Sequence, residues 1–497
     1  MRLHLLLVVL VAAFAAMPVQ LRAQATPPAA ESRASGLLDL LPADAVTRHV
    51  LKRPAGDLPY TATAGTIDLR GQDGKINARL FYTAYVADDR GPDRPVTFAF
   101  NGGPGAASAY LHLGLVGPRI LEFQGANRDG TRPALSDNPH SWLDFTDLVL
   151  IDPPGTGWSR VADKGSESAF YGVRSDAESI AKFITLYAQK NGRVASPKYL
   201  LGESYGGLRA AKVASALKDS QGILVSGIVM VSPLIEGSFV FRSSDDPLGA
   251  ALQLPSLAAA ELERKGSFTE EQVASVERWA MRDYLVSQAG PAPTGEEAER
   301  LYGRIAEMTG IAREDVARAR GFVGDLYRKN PGGAAGKVAS PYDAAFLSDD
   351  PYPETRAGRG DDAILDGFTR AYGAAFAAYA RDKLGYVTEM TYRLLDTDVN
   401  RQWDWDGSRS TTGATDELRT LLSVVPSFRL LVAHGYSDAL TPYGVSRYII
   451  EHMPPSLVDG RADLKVYRGG HMFYTDAEER QRFTADVRAF YTGDAKD

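Results

Sequence analysis

Four short apolar runs, each closed by a glycine- or proline-rich loop, restrict this chain more than any other feature. "PVTFAF" runs into "NGGPG", "DLVLID" into "PPGTG", "KYLLG" into "ESYGG" and "GIVMVS" into "PLIEG". Uninterrupted apolar runs of this length suit strands covered on both faces. Between the second and third lies "SDAESIAKFITLYAQKNG", with apolar residues at helical spacing and a glycine stop. Strand, loop, helix, strand predicts an α/β fold with a mostly parallel central sheet flanked by helices. Chemistry in such sheets gathers in the loops at the strands' carboxyl ends. Upstream, "YTATAGTIDLRGQDGKINARLFYTAYV" alternates and turns at "GQDGK", which predicts a hairpin. The strand pattern lapses near residue 238, becomes helical and aromatic to about 385, then resumes with "FRLLVAHGYSD" and "LKVYRGGHMF". A helical insertion at that point would form a cap over the loops.

The expected division is therefore a signal peptide (1–25), a loosely ordered lead-in (26–58), a first core part (59–238), a helical cap (239–385) and a second core part (386–497). The signal peptide rests on Arg2, the apolar stretch 5–17 and the small-x-small site Ala23-Gln24-Ala25. It predicts a secreted or periplasmic chain cut after Ala25, with no membrane attachment after cleavage. The chain has no cysteine, so an exported form must rely on its core, and thiol nucleophiles and thiolate metal sites are excluded. The net charge of −7 with no basic run gives no footprint for nucleic acid. Oligomeric state leaves no mark in the sequence.

Gly202-Glu203-Ser204-Tyr205-Gly206 fits G-x-S-x-G. By itself the pattern is weak in a chain with 48 glycines. Its context is stronger: "KYLL" before it reads as a strand and "GLRAAKVASALK" after it as a helix, which is the setting of a nucleophile elbow and of an α/β-hydrolase fold. Ser204 is then the nucleophile. In this fold the acid and the histidine follow the serine in that order. Of seven histidines only His452 and His471 lie late enough. His452 ends a helical pattern, whereas His471 follows a strand and two glycines, so His471 is the expected base. Asp438, in "HGYSDALTP", is the carboxylate of the preceding loop and the expected acid; His434 beside it is expected to pack or support. The oxyanion donors are expected from the N–H of Tyr205 and from the loop at residues 101–105, "NGGPG". This chemistry needs no metal and no organic cofactor.

Together "NGGPGAAS", "IDPPGTGWS", "GESYGG", "HGYSDALTP" and "GGHM" resemble the serine carboxypeptidases, in the family's order and most like the bacterial secreted branch. The resemblance spans roughly residues 60–490. It implies an α/β-hydrolase with a helical cap that removes C-terminal residues from peptides bearing a free carboxylate. By motif position it implies Ser204, Asp438 and His471 as the triad and Gly103 and Tyr205 as oxyanion donors. It also implies Asn101 and Glu203, with Gly102 beside them, as the pair that takes the substrate carboxylate, and Met472 as part of the leaving-residue pocket. An ionised Glu203 would repel that carboxylate, whereas a protonated one can donate to it, and burial beside negative charge raises a carboxyl's pKa. Three slots depart from the family: Ala99 stands for a Trp, Ala106, Ala107 and Ser108 replace a Cys-containing run, and Leu115 stands for a Glu of the carboxylate network. Phe98 and Phe100 are the neighbours that could fill for the first, and His112 the polar residue nearest the third. A serine esterase or acyltransferase with the same triad, and a non-catalytic hydrolase-fold binding protein, are the alternatives. An ester substrate would not need Asn101 and Glu203, and a binding protein would not need a complete triad.

Overall fold

The computed structural model describes residues 36–493, except 54, 89, 90, 92, 124–129, 164 and 356–359. The expected signal peptide and the first ten residues of the lead-in lie outside the described residues. Fourteen strands are described: β1 Ala45–Leu51, β2 Leu58–Arg70, β3 Ile76–Ala87, β4 Val96–Phe100, β5 Arg119–Phe123, β6 Pro133–Asp137, β7 Asp147–Ile151, β8 Arg160–Val161, β9 Lys198–Glu203, β10 Gly227–Val231, β11 Lys337–Ser340, β12 Asp343–Asp349, β13 Arg429–Gly435 and β14 Ala462–Tyr467. The main sheet runs β1-β2-β3-β7-β4-β9-β10-β13-β14. From β7 to β14 every neighbour is parallel; β1, β2 and β3 continue it antiparallel. Strands β4, β7, β9 and β10 are buried at every residue, which is why their sequences run apolar without alternating.

The two faces of the sheet carry separate cores. On one, Phe98, Phe100 and Leu200 meet Ile180 and Phe183 of the helix Val173–Lys190 and Leu208 of the helix Tyr205–Ala216. On the other, Ala99, Leu201 and Val229 share a core with Phe483 and Val487 of the helix Ala477–Thr492. Successive side chains of a strand point to opposite faces. Phe98 and Phe100 therefore cannot fill space left by the small Ala99, which faces the other layer.

The hairpin expected at "GQDGK" is β2–β3, with Gly71 N–H donating to Lys75 O at 2.9 Å. The lead-in is not loose throughout: β1 pairs with β2 from Ala45 opposite Ala64 to Leu51 opposite Leu58. Its "AVTRHVL" alternates half-buried and exposed positions, as an edge strand with one wet face does. Between β10 and β13, the expected cap holds the helices Pro247–Arg264, Glu270–Trp279 and Gly295–Thr309 around a core of Leu254, Leu257, Ile305 and Val316, while the helix Ala371–Asp382 packs Tyr372, Phe376 and Tyr379 into the core of the second sheet face. Asp246 caps the first of these by accepting from Gly249 N–H at 2.8 Å, with Pro247 in the first turn. The cap also holds the antiparallel pair β11–β12, which a purely helical reading omits. Among the described residues no helix is long and apolar enough to cross a membrane.

Candidate active site

Strand β9 ends at Glu203, and the helix Tyr205–Ala216 begins two residues later. Ser204 makes the reversal alone, at φ 61° and ψ −127°. A non-glycine residue held there stores about 1–3 kcal/mol of strain and persists only where the surroundings impose it. They do: Ser204 N–H donates to Val231 O at 2.9 Å and Ser204 O accepts from Leu234 N–H at 3.0 Å. Gly202 is required by close approach, because a Cβ there would lie 1.9 Å from Gly206 O.

The loops after β13 and β14 bring Asp438 and His471 to the same place. His471 Nδ1 lies 2.9 Å from Asp438 Oδ2, and both side chains are buried. Asp438 Oδ1 accepts from Leu440 N–H and Thr441 N–H at 2.9 and 3.0 Å, and Oδ2 from Thr441 Oγ1 at 2.9 Å. The carboxylate is thus fixed before it orients the imidazole. Burial pulls the His471 pKa down, but Asp438, with a smaller part from Glu203, outweighs it and the net shift is upward. His471 N–H also donates to Tyr342 O at 2.5 Å, and the Tyr342 ring meets the imidazole edge-on at 5.4 Å. Tyr342 sits in the β11–β12 turn, so the cap reaches the histidine directly.

The loop at residues 101–105 lies against the elbow: a Cβ on Gly102 would fall 2.6 Å from Tyr205 N. Tyr205 opens its helix, so its N–H has no intrahelical acceptor. Gly103 takes φ +99°, a conformation that L side chains rarely adopt. Asn101 Oδ1 accepts from Leu111 N–H at 3.1 Å, which turns its amide nitrogen onto Glu203 Oε2 at 2.7 Å. Tyr474 OH donates to the same oxygen at 2.8 Å. Glu203 is buried and has no ion pair among the described residues; burial pushes its pKa up to about 7, against the lowering effects of His471, Tyr474 and Asn101. Beneath this group the Arg209 guanidinium donates to Asn101 O and, at 2.6 Å, to Asp176 Oδ2 in a fully buried ion pair. A cavity of about 200 Å³ is lined by Asn101, Gly102, Gly103, Glu203, Ser204, Tyr205, His471 and Met472. Every residue expected at the site is therefore brought to one place.

Residues 55–243 match the family model for serine carboxypeptidases. That segment is similar to the serine carboxypeptidases. It is 31% identical over 204 residues to a pheromone-processing carboxypeptidase KEX1 of Cryptococcus gattii, covering 40% of this chain and 29% of that protein. It is 26% identical over 189 residues to serine carboxypeptidase-like 44 of Arabidopsis thaliana, covering 36% of this chain and 37% of that protein. The chain thus spans about a third of the length of these curated relatives. The fold also matches a crystal structure of Kex1, a prohormone-processing carboxypeptidase from Saccharomyces cerevisiae, with a TM-score of 0.56 at 17% identity over 87% of this chain and 91% of that one. Asp438, His471 and Met472 lie beyond the matched segment and join the site through the sheet.

The family slot occupied by Leu115 is fully buried and apolar. His112 does not stand in for it. Its ring is buried among Tyr85, Phe376 and Tyr379, with Nε2 2.7 Å from Tyr85 OH, and burial drives its pKa down to about 3. Glu203 instead takes a hydrogen bond from Tyr474, three residues after His471. Gly114 makes room for it, since a Cβ there would lie 2.8 Å from the Tyr474 ring. Of the remaining histidines, His434 supports from behind, with Nε2 2.8 Å from Ser446 Oγ, and His452 ends a surface helix. Tyr474, Tyr342 and Arg209 were not expected from sequence. The first carried a faint signal, a tyrosine close behind "GGHM"; the other two depend on contacts across the fold.

Proposed function

We propose that this chain is a serine-type carboxypeptidase that removes C-terminal residues from peptides through an acyl-enzyme. The observation that carries the reading is Glu203, buried beside Ser204 with only neutral hydrogen-bond partners, Asn101 and Tyr474. Both donors go to Oε2, which leaves Oε1 to carry the proton and present it to a substrate carboxylate. Asn101 and Glu203, with Gly102 beside them, hold that carboxylate, and Met472 lines the pocket of the leaving residue. Such a site places the last peptide bond over Ser204. His471 takes the Ser204 hydroxyl proton as the oxygen attacks the carbonyl carbon. The N–H groups of Gly103 and Tyr205 receive the negative charge that develops on the carbonyl oxygen. Asp438 stabilises the imidazolium. The C–N bond then breaks, and His471 passes its proton to the departing amine. A water activated by the same imidazole hydrolyses the ester. The apolar stretch 5–17 and the site Ala23-Gln24-Ala25 favour export, so the substrates are extracytoplasmic peptides.

The deciding test compares one peptide with a free and with an amidated C-terminus. Hydrogen bonds to a charged group contribute about 1.5–3 kcal/mol, so amidation should lower kcat/KM by about 10- to 150-fold. Equal rates would transfer the site to the esterase or acyltransferase reading. Tyr474→Phe provides a finer check. The Tyr474 hydroxyl lowers the Glu203 pKa, so its loss moves that pKa further up. Affinity for a free C-terminus, read as the Ki of a product peptide, should then persist to higher pH than in the unaltered protein. A shift to lower pH would contradict the hydrogen bond's assigned direction.

A further inference from the structure

The cavity extends beyond the reacting groups to a second pole that the mechanism leaves unused. Glu203 and Tyr205 flank Ser204 and carry their side chains to different partners. Glu203 meets Tyr474, while the Tyr205 ring packs edge-on against Trp405 at 5.6 Å. Around Trp405 the cavity wall is completed by Val240, Phe241, Asn400 and Arg409. Phe241 is 42% exposed and meets the Trp405 ring at 6.4 Å, so an apolar floor opens toward solvent here. Over it stands Arg409, its guanidinium 5.2 Å from the Trp405 ring centroid. Nη2 donates to Asn400 Oδ1 at 2.6 Å, and Asn400 Nδ2 donates to Pro104 O, on the loop that carries Gly103, at 3.2 Å. A ring face and an amide orient the guanidinium but do not neutralise it.

Among the described residues lining this cavity, Arg409 is the one permanent cation and Glu203 the one carboxyl. Its backbone is held as well. Gly237 N–H donates to Thr412 O at 2.9 Å, and a Cβ on Gly237 would lie 1.8 Å from Arg409 O. The planar guanidinium keeps donors free to take a carboxylate in a fork, while the rings beneath take the methylenes that lead to it.

We infer that Arg409, with Trp405 and Phe241, forms the acyl-side subsite and selects an acidic residue, glutamate before aspartate, immediately ahead of the bond that is cut. This rests on the carboxypeptidase reading for its direction, because Glu203 marks the end of the site where the C-terminus lies. The longer glutamate side chain spans the aromatic floor to reach the guanidinium.

The test uses the full chain with acetyl-Glu-Leu, acetyl-Gln-Leu and acetyl-Lys-Leu, together with the p-nitrophenyl esters of acetyl-Glu and acetyl-Gln. At about 0.01 M salt, where the screening length is about 30 Å, the Glu/Gln ratio in kcat/KM should be about fivefold, as for a single exposed ion pair. At about 1 M salt, with a screening length of about 3 Å, it should fall toward unity. Arg409→Gln should flatten the ratio, and Arg409→Glu should reverse the preference in favour of lysine. A ratio near one in the unaltered protein at low salt would overturn the inference, as would a ratio that survives Arg409→Gln. Should the variants fold poorly, the salt dependence in the unaltered protein decides. The esters lack a C-terminal carboxylate and separate the two readings. If they keep the Glu/Gln ratio while all peptides stay uncut, the subsite stands and the carboxypeptidase reading fails.

Discussion

Ser204→Ala should abolish turnover of peptides and esters alike, by about 10⁴- to 10⁶-fold in kcat, because base and oxyanion donors without a nucleophile retain only background catalysis. The same variant should stay folded. The strand end and helix start are held by backbone hydrogen bonds to Val231 and Leu234, which alanine keeps. The strained φ of 61° is kept too, so the melting temperature should barely move. Ser204→Gly is the companion: it is equally inactive, but glycine adopts positive φ freely, so relief of strain should offset its greater chain entropy. Hydrolysis above background in Ser204→Ala would remove this serine from the nucleophile's role. A collapsed melting transition would show that the serine side chain holds the elbow, which the hydrogen-bond pattern does not predict.

That experiment addresses the part of the site that local sequence could carry. A nucleophile elbow is written in consecutive residues, since the approach of Gly206 O to Gly202 and the turn at Ser204 are local geometry. The strands were legible for a similar reason: burial on both faces leaves a continuous apolar run in β4, β7, β9 and β10. Asp438 and His471 were legible because the loops after β13 and β14 end strands whose order the fold dictates. The edge strand β1 was missed because its half-buried face carries the polar Thr47 and His49 while Val46 and Val50 stand on the exposed face with Arg48, so its sequence shows no apolar alternation. The β11–β12 pair was missed because a short hairpin inside a helical region has too few residues to show a period. Leu115 shows a different limit. An absent carboxyl at one position does not reveal that a phenol from a distant part of the chain reaches Glu203. Tyr474 reaches Glu203 only because Gly114 lacks a side chain, a dependence between segments separated by most of the chain. Trp405 and Arg409 lie in a segment with neither strand nor helix pattern, and β10, β13 and the cap's end bring it over the cavity.

Glu203→Gln should separate proton donation from mere packing by two independent measurements. With its pKa raised to about 7, Glu203 is protonated below neutrality and ionised above it. A product peptide is bound as its carboxylate, so its affinity should be steady from about pH 5 to 7 and then fall about tenfold per pH unit as Glu203 loses its proton. Glutamine cannot ionise. Its carbonyl can take the hydrogen bonds of Asn101 and Tyr474 while its amide N–H replaces the acid's O–H, so the variant's Ki should stay flat through the same range. Folding stability should respond with a definite sign. The folded chain holds the Glu203 proton to about pH 7, whereas the unfolded chain releases it near the ordinary glutamate value of 4.5. The unfolded state therefore binds fewer protons between those values, and this residue's contribution to stability declines as pH rises through them, levelling off above about 7. A shift of this size corresponds to about 3 kcal/mol, so Glu203→Gln should gain stability relative to the unaltered protein on going from about pH 4.5 to 8. Parallel Ki profiles would show that Glu203 does not donate to the substrate. A stability difference that ignores pH would show that it is not the buried, late-ionising acid its surroundings require. The two failures are distinct: the first would leave Asn101 as the carboxylate's donor, and the second would imply that Glu203 ionises with compensation from Asn101 and Tyr474 already in place.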